Sequence, residues 1–354
     1  MSSKSLPNVL DFDLPALKTE FERRGVEKFR AAQVSGWIYK KGVYDFDAMK
    51  NLSADVKKKL VDNFSIGAGS IKKRSHSAGD SSVKLLVELP DHELVETVYI
   101  PKGRRRTVCV SSQVGCKFKC GFCASGQAGF FRNLSASEIV AQILRARDES
   151  KVSNDHLTNI VFMGIGEPLD NYDNVVKAIR TLNSPDGLGI GARRITISTC
   201  GVVPRIRQLA GEGMQIELSV SLHGANDSVR TQLMPVNRAW PIHELLAACG
   251  EYTLKTKRDI TFEYILADGL NADIEDARQL ALVLEGIQCK VNLIPLNPIP
   301  EFPYTRPTNA RIIAFQKMLA EKKIKSTVRY SSGTDINAAC GQLRSVEMSK
   351  AQEK

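Results

Sequence analysis

Along the first sixty residues apolar positions recur at helical spacing. Leu14, Leu17 and Phe21 stand at i, i+3 and i+7, and Trp37 and Ile38 belong to a second run of the same kind. Ser53 is placed to cap a third helix, with Lys57-Lys58-Lys59 on its solvated face. Gly67, Gly69 and the basic trio Lys72-Lys73-Arg74 read as a linker. Alternation then takes over: Val83–Leu89 and Glu93–Ile100, separated by Pro90-Asp91-His92, predict a β-hairpin.

From Thr107 onward strands alternate with helices. The predicted strands are Thr107–Ser111, Asn159–Met163, Arg194–Ser198, Ile216–Ser221, Ile260–Ile265 and Lys290–Ile294. Between them, Ser135-Ala-Ser-Glu138 has the pattern of a capping box ahead of Ile139, Val140, Ile143 and Leu144. Pro241 suits the first turn of another helix, and Ala272–Leu284 and Thr308–Lys322 supply two more. Parallel strands need crossover helices, so this alternation predicts an α/β fold with a parallel sheet. About six units are too few for a closed eight-stranded barrel, so a partial (β/α)6 barrel, open on one side, is expected. The expected division is a helical N-terminal domain over 1–70, a linker and hairpin over 71–106, the barrel with a C-terminal cysteine loop over 107–345, and a polar tail over 346–354.

Charge adds a class of partner. The 354 residues carry 49 Lys and Arg against 39 Asp and Glu, a net charge of +10, which suits an acidic partner such as RNA. Hydrophobic residues at 43% and charged residues at 25% exclude wholesale disorder. No apolar run approaches the roughly 18 residues that span a bilayer, and Met1–Leu10 lacks the apolar core of a secretory signal. A cytoplasmic protein with no membrane contact is therefore expected. Lys102-Gly-Arg104-Arg105-Arg106, before the first barrel strand, together with Lys117 and Lys119, is expected to set positive charge near a reactive rim, where it would attract phosphate.

Of eight cysteines, four fall between Cys109 and Cys123. In a large chain without an export signal they do not suggest a disulfide framework. Cys116-x3-Cys120-x2-Cys123 offers three thiolates in one short loop, the soft ligands that an iron–sulfur cluster takes. A cube of four irons held this way keeps one iron open. The alternative, a zinc knuckle, needs a fourth ligand, and the nearby Cys109 lies inside a predicted strand. Other unusual residues follow the strand ends: Gly164-Ile-Gly166-Glu167-Pro168, Ser198-Thr199, Ser221-Leu222-His223-Gly224 and Pro295-Leu-Asn297-Pro298. In a parallel barrel those ends share one rim, so one site accounts for all of them. Cys200, Cys249 and Cys289 lack such context and read as packing residues.

The cysteine motif, with Phe122 ahead of its last member, resembles that of the radical S-adenosylmethionine (SAM) superfamily. The resemblance implies a 4Fe-4S cluster on Cys116, Cys120 and Cys123. SAM would bind the open iron through its amino and carboxylate groups and yield a 5′-deoxyadenosyl radical on reduction. Gly164–Pro168 is similar to that superfamily's glycine-rich motif, in which Gly166 lets backbone approach the ligand and Glu167 receives the SAM ammonium. Ile165 stands where that motif has Met.

Four further segments resemble the RlmN/Cfr group, radical SAM methyltransferases of RNA adenosine. They are Cys109-Val-Ser-Ser-Gln-Val-Gly-Cys116, Arg132-Asn-Leu134, Ser221-Leu-His223 and Gly333-Thr-Asp335-Ile-Asn-Ala-Ala-Cys340-Gly-Gln-Leu343. The likeness runs from Glu96 to Leu343, with the helical N-terminus matching more loosely. It implies that Cys340 carries a methyl group and that Cys109 later attacks its sulfur, leaving a transient disulfide. Glu96 would accept the ring proton, although from the sequence alone it reads as an exposed strand glutamate. Ser198, Ser221, Leu222, His223 and Asn297 would line the SAM pocket, with His223 contributing backbone rather than acting as a base. The resemblance further implies 23S rRNA and tRNA as substrates, a flipped-out adenine, and an electron donor such as flavodoxin or ferredoxin. C2 methylation is the leading expectation. C8 methylation, the Cfr activity, uses the same cysteines, and a non-catalytic metal-cluster RNA-binding module is the alternative from another class.

Overall fold

Strands form where the sequence alternates. A computed structural model describes residues 6–152 and 156–344; the polar tail expected over 346–354 lies outside them. β1 (Ser70–His76), β2 (Val83–Glu88), β3 (Leu94–Lys102) and β4 (Arg105–Cys109) pair antiparallel in turn. β5 (Gln113–Gly115) and β6 (Phe130–Asn133) then form a separate two-stranded ribbon. The main sheet resumes with β7 (Asn159–Phe162), which pairs parallel with β4. The parallel ladder continues through β8 (Ile195–Thr199), β9 (Glu217–Ser221), β10 (Ile260–Leu266), β11 (Cys289–Pro295) and β12 (Ser326–Val328). Among the described residues the ten-stranded sheet keeps β1 and β12 as its two edges, so the barrel is open.

Four features differ from the sequence reading. The basic run at 70–76 is an edge strand and not a linker: Lys72 meets Glu88 at 2.9 Å and Arg74 meets Glu149 at 2.8 Å. Charged side chains on such an edge discourage pairing with another chain. The hairpin and barrel also share one sheet, because β3 pairs with β4 from Val98↔Cys109 to Lys102↔Arg105. β12 adds a seventh parallel strand beyond the six expected; it is only 3 residues long and has no apolar alternation. Finally, the basic turn at 102–106 opens β4 at the end away from Cys109. At about 3.3 Å per residue that separates its charge from the rim by roughly 13 Å.

Helices α1 (Leu14–Arg23), α2 (Arg30–Ser35), a π-helical turn at Gly36–Lys41, and α3 (Ala54–Asn63) make the N-terminal domain. Ser53 caps α3 by accepting from the Val56 N–H at 3.4 Å. A single turn, α4 (Ala124–Gln127), follows the cysteine loop. α5 (Ala136–Val152) opens with the capping box, since Glu138 N–H donates to Ser135 Oγ at 3.2 Å and Ser135 N–H to Glu138 Oε2 at 2.8 Å. Arg145 and Arg147 of α5 donate to backbone carbonyls of Gly69 and Ile38, which seats the N-terminal domain on the sheet. α6 (Tyr172–Asn183), α7 (Val203–Leu209), α8 (Asp227–Leu233), α9 (Ile242–Thr256), α10 (Ile274–Val283) and α11 (Asn309–Glu321) cover the parallel strands. Pro241 caps α9 and does not enter its first turn. One large apolar core joins both parts, and a smaller cluster of Val98, Cys109, Ile165, Ala338 and Leu343 lies under the C-terminal loop. Among the described residues no helix is long and apolar enough to cross a membrane.

Candidate active site

The chain leaves β4 through Val110–Gln113, which is stitched to the glycine loop after β7. The N–H groups of Ser112 and Gln113 donate to Ile165 O, Ile165 N–H donates to Ser111 Oγ at 2.9 Å, and Glu167 N–H to Gln113 Oε1 at 2.9 Å. A Cβ on Gly164 would stand 2.7 Å from Ser111 N, and one on Gly166, at φ +99°, 2.5 Å from Gln113 Cβ. These glycines therefore permit loop-on-loop packing as well as approach to a ligand. Arg132 clamps the ribbon beside the loop: its two Nη atoms donate to Glu138 at 2.8 Å and its Nε to Asp91 at 2.7 Å.

These loops and the strand ends enclose a cavity of about 880 Å³, including its open mouth, onto which Cys116, Cys120 and Cys123 all face. Gly166, Glu167, Ser198, Ser221, His223 and Cys340 share its wall. Burial, opposed by a bond from Phe118 N–H and aided by Cys123, pushes the Cys116 thiol up to about 12. Burial and then repulsion from the neighbouring sulfurs push Cys120 well above the ordinary thiol value. Deprotonated sulfurs here need a cation among them, and a positively charged iron–sulfur core suits that donor set. Among the described residues no three His, Cys, Asp or Glu side chains gather as ligands of a single ion.

Two buried carboxylates face the same space. Glu167 accepts Leu169 N–H at 2.9 Å and Cys200 N–H at 2.7 Å, and burial raises its pKa. Glu263, which the sequence reading passes over, accepts from Asn292 at 3.0 Å through Oε1, while its buried Oε2 has no partner among the described residues. A ligand bearing ammonium and hydroxyl donors would satisfy both groups, so the cavity fits SAM.

The remaining pocket residues divide. His223 is buried at φ 56°, its Nδ1 accepts from Ile265 N–H at 3.0 Å, and its ring meets Phe122 edge-on at 4.7 Å. Burial and then Arg230 lower its pKa to about 3, so the ring is neutral. Leu222 is buried in the core and does not line the cavity that Ser221 and His223 face. Asn297 also stands outside the cavity wall. Its Nδ2 donates to Ser331 Oγ at 2.8 Å and Cys340 O at 3.2 Å, so it holds the cysteine loop.

That loop is pinned to the cluster loop. Ala124 N–H donates to Gly341 O at 2.8 Å, and Ser125 Oγ donates to Leu343 O at 2.7 Å. Cys340 faces the cavity, whereas Cys109 is buried beneath the loop against Ala338 and Leu343. Both thiols are free. Burial and then Cys340 push Cys109 up to about 12, and Arg329 acts against them. Arg329 is a second functional candidate that the sequence reading passes over. It lines the cavity after β12, with Glu263 at 3.8 Å, and the Cys340 sulfur is the main influence raising its pKa.

Glu96 is not an exposed strand residue. It is buried in β3 with Lys84 Nζ 2.9 Å from Oε1, while Oε2 has no partner among the described residues. Burial raises its pKa and Lys84 opposes the shift. It lies outside the cavity wall, close to the same C-terminal loop, whose Asn337 O accepts from Lys84 at 3.2 Å.

Residues 7–66 match the model of the ribosomal RNA large subunit methyltransferase N-terminal domain, and residues 110–281 that of the radical SAM superfamily. A probable dual-specificity RNA methyltransferase RlmN of Clostridium novyi is 44% identical over 339 residues, covering 96% of this chain and 98% of the relative. A protein of the same description from Clostridium tetani is 46% identical over 337 residues, 95% of each chain. The crystal structure of a radical SAM methyltransferase from Sphaerobacter thermophilus superposes with a TM-score of 0.93 at 43% identity, covering 96% of this chain and 99% of that one.

Proposed function

The chain belongs to the RlmN family of radical SAM RNA methyltransferases, and on that premise we propose that it methylates C2 of adenosine in 23S rRNA and tRNA through a methylated cysteine. The observation that carries the reading is the place of Cys340: it shares a cavity with Cys116, Cys120 and Cys123 and has Cys109 under its own loop. Bound there, a 4Fe-4S cluster and SAM supply an electrophilic methyl group and a carbon-centred oxidant.

The protein's own groups do the rest. Adenine C2 is electron-poor and offers no lone pair, so it attacks a sulfonium methyl poorly; the Cys340 thiolate attacks well and takes the methyl first. Arg329, whose cationic form the Cys340 sulfur favours, stands beside the attacking sulfur on the cavity wall. Once the methyl has lost a hydrogen atom, its carbon joins C2 of a flipped-out adenine. Glu96 accepts the ring proton at Oε2, the oxygen that Lys84 leaves unbonded. The adduct also gives up one electron, which a cluster held by Cys116, Cys120 and Cys123 would take back. The Cys109 thiol, losing its proton, then attacks Cys340 Sγ, forming the S–S bond and breaking the S–C bond, whose electron pair leaves with the carbon and takes up a proton to complete the methyl group. The raised pKa of Cys109 keeps it protonated in the resting protein, which slows premature disulfide formation. Glu167 and Glu263 receive the ligand's ammonium and hydroxyl donors, and neutral His223 with Phe122 packs beside the cysteine loop. A low-potential donor such as flavodoxin or ferredoxin would supply the electron, in the cytoplasm.

Anaerobic turnover of both RNAs with methyl-labelled SAM tests this, with nucleosides identified against 2-methyl and 8-methyl adenosine standards. The 2-methyl product is expected; the 8-methyl product would assign the Cfr activity, and no product from cluster-loaded protein would refute the reading. Cys340→Ala should keep iron and sulfide yet form no product. Product formation by that variant would exclude the covalent-methyl route.

A further inference from the structure

The segment Asn226-Asp-Ser-Val-Arg230 opens α8 just beyond His223 and has no part in the chemistry above. Arg230 is fully buried, a costly place for a guanidinium unless an anion shares it. Its Nη1 donates to Asn237 Oδ1 at 2.7 Å, its Nη2 to Cys200 O at 2.8 Å and Ser221 O at 3.4 Å, and its Nε has no partner among the described residues. All three acceptors are neutral. Among the described residues no carboxylate lies within ion-pair reach of it. Asp227 is linked to it only through Asn237, whose Nδ2 donates to Asp227 Oδ1 at 2.8 Å.

Two of its carbonyl partners border the cavity. Cys200 ends the turn after β8 and Ser221 ends β9, and both line the cavity wall. The cluster loop touches the same helix, where Gly121 N–H donates to Leu233 O at 2.9 Å. Cys120 of the cluster loop is among the groups whose ionisation would favour a cationic Arg230.

We propose that Arg230 is the built-in countercharge of the iron–sulfur site, a positioning residue that ties the ends of β8 and β9 together and raises the cluster's reduction potential. The inference rests on Cys116, Cys120 and Cys123 holding the cluster. A cube bound by three thiolates is net negative and gains one more negative charge when a low-potential donor gives it an electron. A fixed cation in a poorly screened setting favours that reduced state.

The test compares Arg230→Met, which keeps volume and removes charge, with Arg230→Lys, which keeps charge and loses the planar fork. Each is reconstituted anaerobically and titrated with dithionite, the reduced cluster being followed by electron paramagnetic resonance without RNA. At the potential that half-reduces the wild type, the Met variant's reduced-to-oxidised ratio is expected to fall about tenfold, equivalent to about 59 mV for one electron, with the Lys variant within about threefold of wild type. An unchanged midpoint in an iron-replete Met variant would overturn the proposal, as would equal shifts in both variants. Should the Met variant fold yet take up no iron, uptake restored in the Lys variant supports the charge role and uptake absent in both overturns it. A wild type that holds no cluster would instead defeat the underlying site assignment.

Discussion

Replacing Lys84 by Met removes the cation that faces a buried carboxylate, and proton linkage sets the size of the effect. Lys84 Nζ lies 2.9 Å from Glu96 Oε1, with side-chain exposures of 14% and 6%. Leaving an ionised carboxylate uncompensated at such a place costs about 3–5 kcal/mol. The carboxyl can escape by binding a proton. From its ordinary value of 4.5, at about 1.36 kcal/mol per unit, staying neutral costs about 3.4 kcal/mol at pH 7 and about 1.4 kcal/mol at pH 5.5. Protonation thus limits the loss. The sign follows from burial, which already raises the pKa of Glu96 in the folded state. Stability from this group is then full below about 4.5 and is lost as pH rises through the folded value. Taking away Lys84 raises that value further and steepens the loss. Denaturant unfolding of the cluster-free protein should show Lys84→Met destabilised by about 3 kcal/mol at pH 7 and by about half of that or less at pH 5.5. Adding Glu96→Gln, which cannot ionise, should recover most of the difference at pH 7. A loss independent of pH, or a double variant no more stable than the single one, would refute the reasoning.

Gly166→Ala must hold φ +99° and a contact at 2.5 Å, so it should lose about 2–4 kcal/mol in unfolding experiments and bind SAM more weakly in calorimetry. Arg329→Met removes the positive charge beside Cys340; methyl loading of Cys340, followed by intact-protein mass spectrometry, should slow and be largely restored in Arg329→Lys, whereas an equal loss in both variants would assign Arg329 a purely structural part. His223, held near 3 by burial, should add no limb to the pH–rate profile between pH 5 and 8, and a limb near pH 6.5 that disappears in His223→Gln would contradict its neutral, buried state.

Long strands announced themselves, and short or charged ones did not. β2, β3 and β7 to β11 carry enough alternating or continuous apolar residues to be read directly. β12 has only 3 residues, and β1 presents charges on an edge, so its pairing leaves no apolar signature. The junction of hairpin and barrel did have a signal. Lys102 pairs with Arg105, which leaves Gly103-Arg104 as a two-residue turn, a strong hairpin pattern obscured by its positive charge. The candidate site divides in the same way. Ligands consecutive in sequence, such as Cys116, Cys120 and Cys123, are legible because spacing alone brings them together. Arg329, Glu263 and Arg230 are single charged residues whose importance comes from burial, which no spacing reveals.

The C-terminal loop binds these parts into an order of events. One segment carries Cys340 to the cavity, covers Cys109 with Ala338 and Leu343, and through Asn337 holds the lysine that faces Glu96. The groups that would act late in the proposed cycle are therefore shielded by the backbone that presents the group acting first. Burial keeps the Cys109 thiol protonated and so a poor nucleophile, while Cys340 faces the cavity. If the proposed disulfide is to close only after the methyl is loaded, Cys109 must stay unreactive until then, and the burial that this one loop imposes provides for that.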